Sequence, residues 1–138
     1  MNDAERTQAE LEIRNVIGQF AHLADSGDLD EYVSLVTDDG VWAHPTLGTR
    51  TGRDDILAGA QERREGGKKS GGRFRHMVTT QWVEFDDDDH ASSHLYWILL
   101  NATNSPPVVQ NTGRYDDELR RTPEGWKLAR RDIVIDVN

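Results

Sequence analysis

His76 is the residue of this 138-residue chain best suited to acid–base chemistry. It lies in Gly72-Gly-Arg-Phe-Arg-His-Met-Val-Thr-Thr-Gln-Trp-Val-Glu-Phe85, which reads as a β-strand with side chains alternating between two faces. On that reading Phe74, His76, Val78, Thr80 and Trp82 share a face, so the imidazole stands among bulky apolar groups. Such a ring is either a core histidine with satisfied hydrogen bonds or a working base, and a carboxylate partner would separate the two. Asp25 is the candidate, at the end of an amphipathic segment and roughly 80° around the helix from Ile17, on the edge of its apolar stripe. It could otherwise form only a local turn with Gly27 or Asp28.

A histidine near neutral pH can remove a proton from carbon when its neutral form is correctly oriented. An aspartate that accepts the Nδ1 hydrogen bond leaves the Nε2 lone pair toward the substrate and stabilises the imidazolium that forms. Phe74, Val78, Trp82 and Trp42 are expected to supply a dry pocket around the pair. The other histidines carry weaker signals. His22 falls on the polar side of its helix and His90 in an acidic turn, while His94 shares a face with Tyr96. His44, before Pro45, is a candidate ligand contact.

No His-x-x-x-His or His-Glu-x-x-His pair occurs on a helical stretch, and Asp86–Asp89 lacks the spacing of a calcium loop, so no metal is expected. The glycine pairs Gly66-Gly67 and Gly71-Gly72 do not open a helix after a strand, which argues against a nucleotide cofactor. Without cysteine there is no thiol nucleophile and no disulfide framework. The formal net charge of −9 argues against nucleic acid and anionic membranes and favours a small, uncharged ligand. No apolar run approaches the roughly 20 residues of a membrane span, and the N-terminal residues read as helix instead of a signal peptide, so a cytoplasmic protein is expected.

The elements that must position these residues follow from periodicity. Apolar residues at spacings of three and four predict a helix from Asp3 to Ala24, broken at Ser26-Gly27, and a second from Leu29 to Val36 capped by Asp28. Thr37–Gly40 reads as a turn, Val41–Thr46 as a strand limited by Pro45, with Thr49–Thr51 as its continuation. A third helix is expected from Ile56 to Arg64, followed by a flexible glycine-rich loop, Glu65–Gly72. Four strands follow, over 73–85, 90–101, 108–119 and 126–137, joined by an acidic turn, an Asn/Ser/Pro-Pro loop and Thr122-Pro-Glu-Gly125. In Leu95–Leu100 both alternating sets are apolar, which suggests a strand covered on both faces and hence a homodimer packed sheet on sheet. The whole chain, 1–138, is therefore read as one α+β domain: three N-terminal helices packed on a strongly curved, mainly antiparallel sheet that encloses a cone.

Together Ile13–Asp25, Asp38-Asp-Gly-Val-Trp42, Gly52-Arg53, Arg75-His76, Gly113-Arg-Tyr115 and Gly125-Trp-Lys-Leu128 resemble the SnoaL-like branch of the nuclear-transport-factor-2-like superfamily. That superfamily includes dehydratases, isomerases, epoxide hydrolases, dioxygenase small subunits and non-catalytic binders, so fold alone does not select an activity. Scytalone dehydratase, bile-acid 7α-dehydratase and hexachlorocyclohexane dehydrochlorinase are similar in their site, and the resemblance carries their aspartate and histidine onto Asp25 and His76. Phe20 stands where the dehydratases use a tyrosine, and Arg131 is the nearest counterpart of the dehydrochlorinase's cationic helper. The resemblance thus implies a cofactor-independent lyase or isomerase of a hydrophobic small molecule. A binding protein without activity, or a small subunit of a ring-hydroxylating dioxygenase, are its alternatives.

Overall fold

A computed structural model describes residues 1–101 and 106–137. Helix α1 spans Asp3–Asp25, one residue beyond the expected end. Its start is fixed by a capping box: the Asn2 side chain accepts the Glu5 amide at 2.8 Å and the Glu5 carboxylate accepts the Asn2 amide at 2.9 Å. Ile13, Val16, Ile17, Phe20 and Ala21 form its buried stripe. Asp28 caps α2, Leu29–Ser34, and the chain then enters strand β1, Val36–His44.

Three local expectations differ from the structure. Thr37–Gly40 is strand instead of turn, because the register of β1 slips between Val36 and Val41 and absorbs the turn-forming residues as an irregularity within the ladder. The Gly52 amide donates to the Gly40 carbonyl at 2.8 Å, closing that irregularity. Strand β2, Gly48–Thr51, turns back antiparallel on β1 instead of extending it. Helix α3 runs Arg53–Lys69, so Glu65–Lys69 is helical and not a loop. Gly67 and Gly72 leave bare backbone against which the Phe74 ring lies; a Cβ on Gly67 would stand 3.5 Å from that ring. The helix therefore continues through a glycine pair of weak helix propensity.

Strands β3 (Phe74–Phe85), β4 (His90–Asn101), β5 (Val108–Thr122) and β6 (Gly125–Ile135) form the expected antiparallel meander. The Asn/Ser/Pro-Pro loop between β4 and β5 lies largely outside the described residues. The sheet order is β2-β1-β6-β5-β4-β3, with β1 parallel to β6 and every other pair antiparallel. The parallel pair makes the sheet mixed. One face packs on the helices through Trp42, Leu95, Trp97, Tyr115, Leu119 and Ile133. The other exposes Met77, Trp82 and Tyr96, while Ile98 and Leu100 are half-buried. Among the described residues no helix is long and apolar enough to cross a membrane.

A bulge in β3 reverses the parity that the sequence suggests. Thr80 has φ 53°, and the pairing with β4 shifts between Thr79 and Trp82. Phe74, His76 and Val78 share the helix-facing side as expected, but past the bulge Gln81 turns inward and Trp82 outward, 56% exposed. Trp82 stacks on His94 of the outer face with ring centroids 5.0 Å apart.

Close approach at Gly113 fixes the centre of the sheet. A Cβ there would overlap the Val134 carbonyl and the Trp97 indole, both held in the core. Gly113→Ala is therefore expected to destabilise the protein by about 1–3 kcal/mol, seen as a lower urea midpoint at unchanged m-value. An unchanged midpoint would show that both the Val134 backbone and the Trp97 ring give way freely.

Candidate active site

The end of α1 and the first half of β3 bring Asp25 and His76 together. The Asp25 Oδ1 lies 2.6 Å from His76 Nδ1, and the His76 backbone amide donates to both carboxylate oxygens at 3.0 Å. One carboxylate thus holds the ring and the backbone of the same residue. An ionised aspartate only accepts, so the Nδ1 carries the proton and Nε2 is left with its lone pair. The Asp25 side chain is 14% exposed and the His76 side chain 29%, which shields the carboxylate while leaving the ring reachable.

Contact with an aspartate does not by itself distinguish His76. His90 meets Asp87 at 2.9 Å in the acidic turn, and His94 meets Asp116 at 2.7 Å on the outer face. The first pair is largely exposed, and the second also engages Arg114 from within its own surface cluster. Of these three pairs among the described residues, Asp25–His76 is the one that faces the helices, and its carboxylate also takes up the backbone amide of its histidine. Its position is set from α3. Arg64 donates to the carbonyls of Leu23 at 2.7 Å, Ala24 at 3.3 Å and Gly27, satisfying the open end of α1 where a cation is favoured.

The interior beside the pair is built of stacked rings and guanidinium groups. Phe20, 2% exposed, stacks on Tyr32 with centroids 4.0 Å apart. Arg131 and Asp117 face each other across β6 and β5 and form a bidentate ion pair, both bonds 2.8 Å. The guanidinium lies 3.7 Å above the Tyr115 ring and 5.1 Å from that of Phe20. Arg63 of α3 covers Trp42 at 4.0 Å and hydrogen-bonds the Tyr32 hydroxyl. Burial pushes the Tyr115 phenol up to about 12 and raises that of Tyr32, so both stay protonated and can donate to a ligand oxygen. The same burial, aided by the Arg63 charge, lowers the His44 pKa and keeps that ring neutral.

Of the residues singled out from the sequence, Asp25, His76, Phe20, Trp42, Phe74, Val78 and Arg131 all lie on or beneath the helix-facing side. His44 stacks on Trp42 at 5.5 Å at the end of β1. Trp82 is the one on the opposite face, removed by the bulge. Arg131 is in place but already committed to Asp117. Sequence reasoning passed over Tyr32, Arg63, Arg64, Tyr115 and Asp117. Gly113, Tyr115 and Asp117 alternate on one strand, a legible signal; the arginines sit in the polar run Gln61–Glu65, which carries none.

A SnoaL-like domain matches residues 5–132, nearly the whole chain, and the protein belongs to this family. Among solved structures it is similar to a nuclear-transport-factor-2-like protein with a cystatin-like fold from Novosphingobium aromaticivorans, at 25% identity and TM-score 0.84, covering 94% of this chain and 82% of that one. A protein from Catenulispora acidiphila in complex with S-DNPA is 25% identical, with TM-score 0.79 and coverage of 94% and 95%. A candidate scytalone dehydratase from Novosphingobium aromaticivorans shares the fold at 17% identity, TM-score 0.82, covering 99% and 89%. No curated protein matches the sequence.

The hydrogen bonds fix two histidines in opposite tautomers, which nitrogen chemical shifts can read directly. His76 is expected to carry its proton on Nδ1. His44, whose Nδ1 accepts the Thr46 and Leu47 amides at 3.1 and 3.0 Å, should carry it on Nε2. Asp25→Ala should shift only His76 toward a mixture; an Nε2-protonated His76 in the unchanged protein would contradict the assignment.

Proposed function

We propose that the protein is a lyase or isomerase that works with its own side chains on a hydrophobic small molecule held between helices and sheet, with His76 as base and Asp25 as its orienting partner. The observation that carries this reading is the 2.6 Å contact between a shielded carboxylate and a ring that is still reachable. His76 Nε2 would take a proton from a carbon next to an electron-withdrawing group. The carbon–hydrogen electron pair becomes a double bond as a leaving group departs, or the proton returns at another carbon. Asp25 stabilises the imidazolium in either case. The Tyr115 phenol, held protonated by burial, is the donor for the oxygen that gains charge. Among the described residues no cluster of His, Asp and Glu has the arrangement of a metal site.

Base catalysis of this kind contributes on the order of 10²- to 10⁴-fold. Turnover should be sought over hydrophobic carbonyl, alcohol and halide compounds. Once a substrate is found, His76→Ala and Asp25→Asn should each lower kcat by about 10²-fold or more while the melting temperature stays close to that of the parent. Activity within a few-fold of the parent would refute the mechanism. Binding without turnover is the second reading. It is favoured by the tight stacking of Phe20 on Tyr32, where the resembling dehydratases carry a tyrosine, and by the S-DNPA bound to the Catenulispora acidiphila protein.

The outer face supports a homodimer. Met77, Trp82 and Tyr96 are 48%, 56% and 55% exposed on one side of the sheet, an apolar surface suited to a second copy across a two-fold axis. Light scattering at micromolar concentration should give twice the chain mass, and Tyr96→Lys should shift it toward the monomer. A monomeric parent would end the proposal.

A further inference from the structure

Two arginines reach the interior, and they are treated differently. Arg131 is neutralised by Asp117. Arg63 is largely removed from water, yet among the described residues no carboxylate stands within ion-pairing distance of it; its surroundings are the Tyr32 hydroxyl, the Trp42 face and a second guanidinium, that of Arg50. Arg50 has its own carboxylates, Asp55 at 3.3 Å and Glu62 at 2.7 Å. Gly59 lets Arg63 lie this close: a Cβ there would stand 3.0 Å from its Nη1. A desolvated cation without an anion is costly, and a cation–π contact offsets only part of that cost.

The groups around Arg63 are donors as well. The Tyr32 oxygen receives the guanidinium, so its own proton is free to be donated. His44 has its Nδ1 occupied by the Thr46 and Leu47 amides, which places the remaining proton on Nε2, and that atom has no acceptor among the described residues. Arg63 thus links two further donors, the Tyr32 hydroxyl that it bonds and the His44 ring that stacks on the indole it covers, and among the described residues no carboxylate stands with them.

We propose that Arg63, Tyr32 and His44 form an anion-receiving subsite over Trp42, and that the ligand of the interior is an apolar body bearing a carboxylate. This rests on the reading that the interior takes up a small molecule, and it names the class of that molecule. A planar guanidinium beside a hydroxyl matches a carboxylate better than it matches a neutral oxygen. The formal net charge of −9 makes the preference diagnostic, because the protein as a whole repels anions and any attraction must be local.

Calorimetric titration of the full chain with two matched pairs tests it: benzoate against benzamide, and 2-naphthoate against 2-naphthamide. At least one acid should bind roughly tenfold or more tightly than its amide, as expected when a charge-assisted pair is replaced by a neutral contact. Arg63→Met should abolish that preference while leaving amide affinity within a few-fold, and Arg63→Lys should restore part of it. Equal affinity for acid and amide, no saturable binding of either acid, or an acid preference retained in Arg63→Met would each overturn the proposal. The parent's acid-to-amide ratio decides the matter even if the Met variant fails to fold. Because the readout is binding, it separates from the proposed reaction: an Arg63-dependent acid preference without turnover anywhere refutes only the chemistry, and turnover with no acid preference refutes only the subsite.

Discussion

The ion pair between Asp117 and Arg131 sets the terms for the interior. Both groups are at most 3% exposed, and they meet because β5 and β6 place them directly opposite in register. Removing one partner of such a pair leaves an uncompensated buried charge, at a cost of about 3–5 kcal/mol, so the register of the two strands and the pairing support each other. A one-residue slip would send Asp117 to the outer face and leave Arg131 unpaired. Once fixed, the guanidinium becomes a flat platform on which Tyr115 and Phe20 stack, and Tyr32 stacks on Phe20 in turn. Polar groups thus organise rings that would otherwise pack in several ways.

The Asp25–His76 pair solves a different problem. Here a helix end must meet a strand, and each has open hydrogen-bonding groups. Asp25 takes up the amide and the ring nitrogen of His76, while Arg64 takes up the carbonyls of the last turn of α1. The helix terminus is thereby tied to β3 on one side and to α3 on the other. This explains how a carboxylate at a helix C-terminus, where the dipole disfavours negative charge, is held in place: the neighbouring carbonyls have already been satisfied by a cation.

What the sequence made legible was local or periodic. The apolar stripe of α1 and the break at Ser26-Gly27 define it to within one residue, and the four strands of the meander follow from alternation and turn chemistry. Asp25 and His76 could be paired because one closes a strongly periodic helix and the other sits in the first half of β3, before any irregularity. Trp82 failed for the complementary reason. Parity is a cumulative count, and a single residue at positive φ, Thr80, reverses every assignment after it. A β-branched residue is the last type expected there, so no local rule announces the bulge. Helix α3 was underestimated because Gly66 and Gly67 look like a loop, and nothing local shows that the helix carries on to Lys69.

Arg63 and Arg131 show why charge cannot be ranked by sequence. Arg131 stands in a strand with a carboxylate on the neighbouring strand, and that pairing is invisible until the register is known. Arg63 lies in a run of polar and charged residues that reads as a solvated helix surface. The fold exchanges these appearances: the arginine that looked available is closed by Asp117, and the one that looked like surface is half-buried over Trp42 and, among the described residues, without an anion. An interior with one satisfied and one unsatisfied cation has an electrostatic direction, from the paired guanidinium near Tyr115 toward the unpaired one over Trp42. Tyr115 feels Arg131 and Asp25, and Arg63 feels Tyr115, so the Tyr115 phenol lies electrically between the Asp25 carboxylate and the open cation. A ligand that loses a proton to His76 becomes more negative in a field that already favours negative charge on the far side. On the proposed reading, the base and the unpaired arginine are complementary parts of one site, even though they sit on elements that share no sequence signal.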